Sequence, residues 1–207
     1  DALSEKGFNV TIFDISESPF INNKQNMILG DILDSEQVNK VVQNCKFVYH
    51  FAGLADINIA KDKPLETITN NILGTTNILE ACRINKVERF IFASTIYVYS
   101  ELGSFYRSSK QACELIIENY FDEYKLNYTI LRYGSLYGKR ANQFNFIRNA
   151  VTQALLENKI DRKGDGNEIR DYIHVKDAAI ASVDILNNKF INVLFEKNQD
   201  EYPRLGD

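Results

Sequence analysis

Short apolar runs alternate along this chain with longer stretches of helical periodicity. The runs 8–13, 27–29, 47–51, 90–93 and 128–131 are almost continuously apolar. That is the pattern of parallel strands buried on both faces. Between them, 35–44, 64–85, 108–124 and 144–158 read as helices. In 108–124 the residues Ala112, Leu115, Ile116 and Tyr120 form a stripe at helical spacing, and 64–85 carries Leu65, Ile68, Ile72, Thr76 and Leu79. Alternating strands and helices predict an α/β fold with a doubly wound, Rossmann-like parallel sheet. The division expected is a sheet domain over 1–135 and a smaller, partial substrate-binding region over 136–207, where the pattern becomes irregular. Asp1 to Gly7 reads as the tail of a helix capped by Gly7, ahead of the strand at Phe8. A helix in that place predicts a first strand and its glycine-rich loop upstream of Asp1.

Composition narrows the class. With 44% hydrophobic and 25% charged residues, the chain matches a soluble globular protein. A net charge of -4 gives no basic face for nucleic acid. No apolar run approaches the roughly 18 residues that span a bilayer. Cys45, Cys82 and Cys113 are odd in number and widely spaced. They predict reduced, buried thiols rather than disulfides or a metal site, and a cytoplasmic protein.

Two places suggest chemistry. Asp14 stands directly after a strand, where an acidic residue in such a sheet binds the ribose hydroxyls of a dinucleotide and repels a 2′-phosphate. An Asp that merely starts a turn has the same local sequence. The second place is Tyr106-Arg-Ser-Ser-Lys110, downstream of a strand that ends in Ser94-Thr95. Tyr and Lys four residues apart share a helical face. An ammonium close to a phenol favours the phenolate, so Tyr106 is expected to lose its proton below its usual value near 10 and to act as a general base. Thr95 would hold the reacting oxygen. The same spacing also occurs on ordinary helix faces. His50 and His174 sit in apolar or structural segments and read as core or capping residues. Gly164-Asp-Gly166 reads as a turn, and the charged run 196–201 as solvated tail.

Taken in order, these segments resemble the extended short-chain dehydrogenase/reductase family, in its nucleotide-sugar epimerase/dehydratase branch. Gly30-Asp31-Ile32 resembles the segment that holds the adenine. His50-Phe51-Ala52-Gly53-Leu54-Ala55 resembles the turn along the cofactor. Asn70-Asn71-Ile72-Leu73-Gly74-Thr75 resembles the helix whose Asn, here Asn71, lies on the cofactor side. Phe92 to Tyr99 resembles the catalytic Ser/Thr strand. Leu131-Arg132-Tyr133-Gly134-Ser135-Leu136-Tyr137-Gly138 resembles the turn beside nicotinamide and substrate. Arg170 to Asp177 resembles the segment whose Arg meets a diphosphate, for which a bidentate cation suits. An ion pair of Arg170 with Asp171 or Asp177 is the plainer alternative.

The resemblance implies catalytic roles for Thr95, Tyr106 and Lys110. It implies NAD contacts from Asp14, Asp31, Ile32, Phe51, Ala52, Gly53, Asn71, Tyr106, Lys110 and Tyr133. Substrate contacts would come from Ser94, Thr95, Ser135 and Arg170, with no metal. The implied reaction is epimerisation of a nucleotide-diphosphate sugar through a 4-keto intermediate. A dehydratase, decarboxylase or reductase could use the same site, and so could a non-catalytic NAD-binding regulator. Dehydratases of the branch carry Asp-Glu after the catalytic Thr, whereas Ile96-Tyr97 stand here. Ser135 replaces the family's usual Asn, and the loop from Tyr99 to Tyr106 is short. The resemblance also implies a homodimer through helices 64–85 and 108–124, with Ile78, Ile117 and Phe121 as the apolar residues left over for the partner.

Overall fold

The computed structural model describes residues 1–161, 170–187 and 193–194. The chain divides into two units, Asp1–Arg132 with Phe190–Asp207, and Tyr133–Lys189. In order, the first unit runs α1 (Ala2–Glu5), β1 (Val10–Asp14), β2 (Gln25–Leu29), α2 (Ser35–Val42) and β3 (Phe47–His50). Then come α3 (Ile57–Asp62), α4 (Pro64–Ile68), a π-helical turn (Thr69–Leu73), α5 (Gly74–Ile84) and β4 (Arg89–Thr95). A 3-10 turn (Ile96–Tyr99), α6 (Ser104–Tyr124) and β5 (Tyr128–Tyr133) complete the run. The second unit holds β6 (Ser135–Tyr137), α7 (Phe146–Glu157), β7 (Tyr172–His174), α8 (Val175–Asp184) and a 3-10 turn (Ile185–Asn187). β8 (Val193–Leu194) pairs with β5 in the first unit.

β1 pairs parallel with β2, and a second sheet has the order β3-β4-β5-β8. β3 runs parallel to β4. This is the parallel α/β architecture that the alternating pattern predicts. A cleft of about 890 Å³ separates the two sheets, walled by β1 on one side and β3 on the other. β4 and β5 are buried along most of their length, which explains their unbroken apolar sequence. Leu79, Cys82, Phe90, Phe92, Cys113, Ile117 and Ile130 form the centre of the core. The three cysteines are free thiols, two of them buried.

Two helices differ from their expected faces. Ile117 is 1% exposed and packs in the core, and Ile78 is buried with it, whereas Leu115 is 63% exposed and Leu65 78%. Phe121 packs against the core as well. The residues expected to face a partner thus face the sheet. In 64–85 the cause is the π-helical turn, whose extra residue shifts the register of any stripe counted at 3.6 residues per turn. In α6 the cause is polar: its buried face is Ser109, Lys110, Cys113, Glu114 and Ile117. Apolar counting therefore places Ile116 and Tyr120 against the core as expected but misjudges Leu115 and Ile117. α3 escaped the sequence pattern because six residues, capped by Asp56, hold too few turns for a stripe.

His50 closes β3 as a core residue, with the Phe90 and Phe92 rings at 6.1 and 5.7 Å. Its Nε2 lies 2.9 Å from Thr75 Oγ1. The Thr75 hydroxyl donates its proton to the Asn71 carbonyl, so Nε2–H of a neutral imidazole donates to Thr75. Burial, reinforced by Lys110, pushes the imidazole down to about 3.

Two predictions follow from this packing. Ile117→Ala should cost about 2–5 kcal/mol in urea unfolding and Leu115→Ala no more than about 0.5, and the reverse order would contradict the assigned faces. His50 is depressed in the folded state, so the unfolded chain takes up its proton first. Its contribution is complete above about pH 6.5 and is lost as the pH falls from there towards 3. Between pH 7 and 5 stability should drop by about 2 kcal/mol from this group, and His50→Gln should flatten that slope.

Candidate active site

Parallel strands bring their carboxyl ends to one edge of a sheet, and loops there form the usual binding crevice of such folds. Asp14 ends β1 and is exposed, with Oδ1 accepting from the Ser16 amide at 3.1 Å. Asp31 follows β2 and accepts from the Leu33 amide at 2.9 Å. Ile32 is buried, and its Cδ1 lies 2.5 Å from where a Cβ on Gly74 would fall, so a side chain at 74 would displace it. Phe51, Ala52 and Gly53 follow β3, and Thr95 ends β4.

Asn71 ties this edge together from the π-helical turn. It is 2% exposed. Its Oδ1 accepts from the Leu54 amide at 2.7 Å, and Nδ2 donates to the Leu54 carbonyl at 3.0 Å and to Ser109 Oγ at 2.9 Å. Gly53 has φ +136°, and a Cβ there would meet Asn71 Oδ1 at 2.6 Å. The residue must be glycine for the turn to approach the Asn side chain. Asn71, expected on the cofactor side, has its amide engaged in holding the strand-end turn to helix α6.

Helix α6 begins at Ser104, so Tyr106 lies in its first turns and Lys110 one turn further. Thr95 caps the 3-10 turn by accepting from the Tyr97 amide at 3.2 Å, and its side chain lies near enough to Tyr106 to influence the phenol. Lys110 Nζ donates to the Ala93 carbonyl at 2.8 Å, lies 4.5 Å from the Phe92 ring centre and 6.0 Å from that of Tyr106. The structure thus brings Thr95, Tyr106 and Lys110 into one cluster. Their electrostatics depart from the expected balance. Burial pushes the Tyr106 phenol up from its ordinary value, opposed by the neighbouring Thr95 hydroxyl. Burial pushes the Lys110 ammonium down to about 8, opposed by Cys113 and Glu114. Here desolvation of the phenolate outweighs an ammonium that is turned to the main chain.

A second cluster escaped the sequence reading. Ser94 is buried and its hydroxyl donates to Glu114. Ser94, a candidate substrate contact, meets α6 through this hydroxyl. Arg132 forks onto Glu114, from Nε at 3.1 Å and Nη2 at 2.7 Å, and its Nη1 donates to the Tyr99 hydroxyl. Burial pushes the Glu114 carboxyl up to about 7, against Ser94 and Lys110, which draw it down. The fork from Arg132 favours the anion. The available signal was spacing: Glu114 lies one helical turn beyond Lys110.

The second unit carries the other expected residues. Tyr133 shares a 2.6 Å hydrogen bond with Ser182. Ser135 lies in β6, paired with Tyr172 of β7, and its amide donates to the Asp171 carbonyl at 2.9 Å. Arg170 is exposed just before β7. His174 caps α8 by accepting from the Lys176 amide, as a capping histidine should. The turn expected at Gly164–Gly166 and the charged run 196–201 lie outside the described residues. Among the described residues, no group of carboxylate, histidine and cysteine side chains could hold a metal ion, and no helix is long and apolar enough to cross a membrane.

Over 216 aligned residues the chain is 30% identical to a putative UDP-glucose 4-epimerase of Methanocaldococcus jannaschii, covering 93% of this chain and 71% of that protein. It is 28% identical to a dTDP-glucose 4,6-dehydratase of Mycobacterium tuberculosis, covering 86% of this chain and 56% of that protein. The chain therefore spans little more than half of the dehydratase. Among solved structures, the UDP-glucose 4-epimerase of Thermotoga maritima with UDP-glucose superposes with TM-score 0.84 at 27% identity, over 93% of this chain and 70% of that one. The Thermus thermophilus UDP-glucose 4-epimerase in complex with NAD gives TM-score 0.82 at 26% identity, over 92% and 70%. A sequence profile described as the NAD dependent epimerase/dehydratase family matches residues 1–193, and the chain belongs to that family.

Proposed function

We propose that this chain carries the catalytic centre of an NAD-dependent epimerase that inverts a nucleotide-activated sugar through a 4-keto intermediate. The observation that carries this reading is the clustering of Thr95, Tyr106 and buried Lys110, whose Nζ lies 6.0 Å from the Tyr106 ring centre, at the carboxyl end of a parallel strand. The residues at this edge suit NAD. The exposed Asp14 carboxylate can accept from ribose hydroxyls, and the Gly53 turn offers bare main chain held by Asn71. When bound, NAD supplies the acceptor and then the donor of one hydride. As the phenolate, Tyr106 takes the proton of the sugar hydroxyl and becomes a phenol, Thr95 holds the oxygen, and Lys110 keeps positive charge beside the phenolate before the transfer. A phenol raised by burial is a weak acid, so the Lys110 ammonium and the Thr95 hydroxyl must favour the phenolate when substrate is bound. In the return step Tyr106 gives the proton back.

Arg170 is proposed for the diphosphate and Ser135 for the sugar. Elimination of water calls for an acid and a base beside the sugar, and Ile96 and Tyr97 directly follow Thr95 in the 3-10 turn. That favours epimerisation over dehydration. A homodimer through α4, α5 and α6 is part of the proposal, now with Leu65, Ile68 and Leu115 as the exposed apolar residues.

Three results are expected. Tyr106→Phe in the complete enzyme should lower turnover of a nucleotide sugar at least 100-fold, roughly the contribution of a positioned base, without loss of NAD binding. Turnover near the parent value would refute the assignment. Asp14→Ser should narrow a preference for NAD over NADP, measured by titration of both. Leu115→Glu should shift light scattering from dimer to monomer, and a parent protein that is already monomeric would end the dimer proposal.

A further inference from the structure

Glu114 sits among groups that the reaction needs, yet it has no place in the scheme above. It lies one turn from Lys110 on the buried face of α6. It accepts from the hydroxyl of Ser94, the residue immediately before Thr95. It also receives the fork of Arg132, from the neighbouring strand β5. The same guanidinium donates to Tyr99 and stacks on its ring, with its carbon 4.6 Å from the ring centre. Tyr99 is the last residue of the 3-10 turn that Thr95 caps. The segment that carries Thr95 is therefore held on both sides from one carboxylate, directly through Ser94 and indirectly through Arg132 to Tyr99.

We propose that Glu114 is a positioning residue for Thr95, Tyr106 and Lys110: it locks the end of β4 to the catalytic helix and supplies the counter-charge that keeps Lys110 protonated. The inference rests on the reaction proposed above for the catalytic residues, but its geometry does not. A buried ion pair is an inefficient way to stabilise a fold, since an apolar pair of similar volume often does as well. Its distinctive effects are on register and charge. Thr95 comes from a strand end and Tyr106 from a helix, and small displacements of such groups cost rate steeply.

The charge effect has a definite sign. Burial pulls Lys110 down to about 8, and Cys113 and then Glu114 work against that fall. The ionisable groups facing Glu114 are Lys110, Cys113 and Glu118 on its own helix, and Arg132 and Tyr128 on β5. From β4 the facing group is the Ser94 hydroxyl. Among these, Glu118 opposes and Lys110 supports ionisation of Glu114.

The test uses the complete, NAD-loaded enzyme and two variants. Glu114→Gln removes the charge at nearly the same volume. Ser94→Ala removes a single hydrogen bond and leaves the ion pair in place, so it remains informative if Glu114→Gln does not fold. With a nucleotide-sugar substrate, both should lower kcat about 10- to 100-fold with KM within about threefold, the scale of a misplaced reacting pair. Ser94→Thr, which retains the hydroxyl, should restore most of the rate. NMR titration of Cε-labelled lysine, with the Lys110 signal assigned by Lys110→Met, gives a readout that needs no turnover. In Glu114→Gln the Lys110 midpoint should fall by about one pH unit, and in Ser94→Ala it should stay. Variants that lose thermal stability while kcat and the Lys110 midpoint remain at parent values would overturn the proposal. If the parent enzyme turns over no nucleotide sugar, the reaction reading fails, while the Lys110 titration still decides whether Glu114 sets the charge.

Discussion

Helix α6 turns Ser109, Lys110 and Glu114 into the protein interior, where an unpaired polar group costs several kcal/mol. The rest of the first unit is arranged so that each of them is met. Ser109 accepts from Asn71, Lys110 donates to the Ala93 carbonyl, and Glu114 binds Ser94 and Arg132. Among the described residues, no buried side-chain nitrogen or oxygen is left without a partner. The partners come from the π-helical turn, β4 and β5, so satisfying one helix face fixes where three other elements must lie.

This explains features that packing alone does not require. The π-helical turn places Asn71 where its amide reaches both the Leu54 main chain and Ser109. Gly53 adopts positive φ to let that amide approach. One network therefore joins the turn after β3, where a cofactor would run, to the helix bearing Tyr106 and Lys110. His50 and Thr75 extend it into the core, and Cys113 donates to the same Asn71 carbonyl.

The candidate chemistry draws on the same desolvation that makes the network necessary. Burial raises the Tyr106 phenol and lowers the Lys110 ammonium, so the charged form of each is disfavoured and depends on the groups around it. Thr95, close to Tyr106 at the end of β4, marks where a substrate hydroxyl would be held.

The sequence by itself determined the parallel α/β class. Unbroken apolar runs separated by helical stretches have no comparable solution, since such strands must be covered on both faces. It also placed Tyr106 and Lys110 on one helical face, because they are separated by one turn, a relation that needs no tertiary information. It could not determine which face of α6 points inward. Apolar counting selected Leu115 and left Ile117 over, because the buried face is carried largely by polar residues whose burial is tolerable only once their partners are in place. For the same reason Glu114 and Arg132 were invisible: they are 18 residues apart in sequence and meet only when β5 lies beside β4. The sign of the Tyr106 shift was likewise a tertiary decision. Spacing places an ammonium near a phenol, but the depth of burial and the direction in which Lys110 donates set which effect prevails.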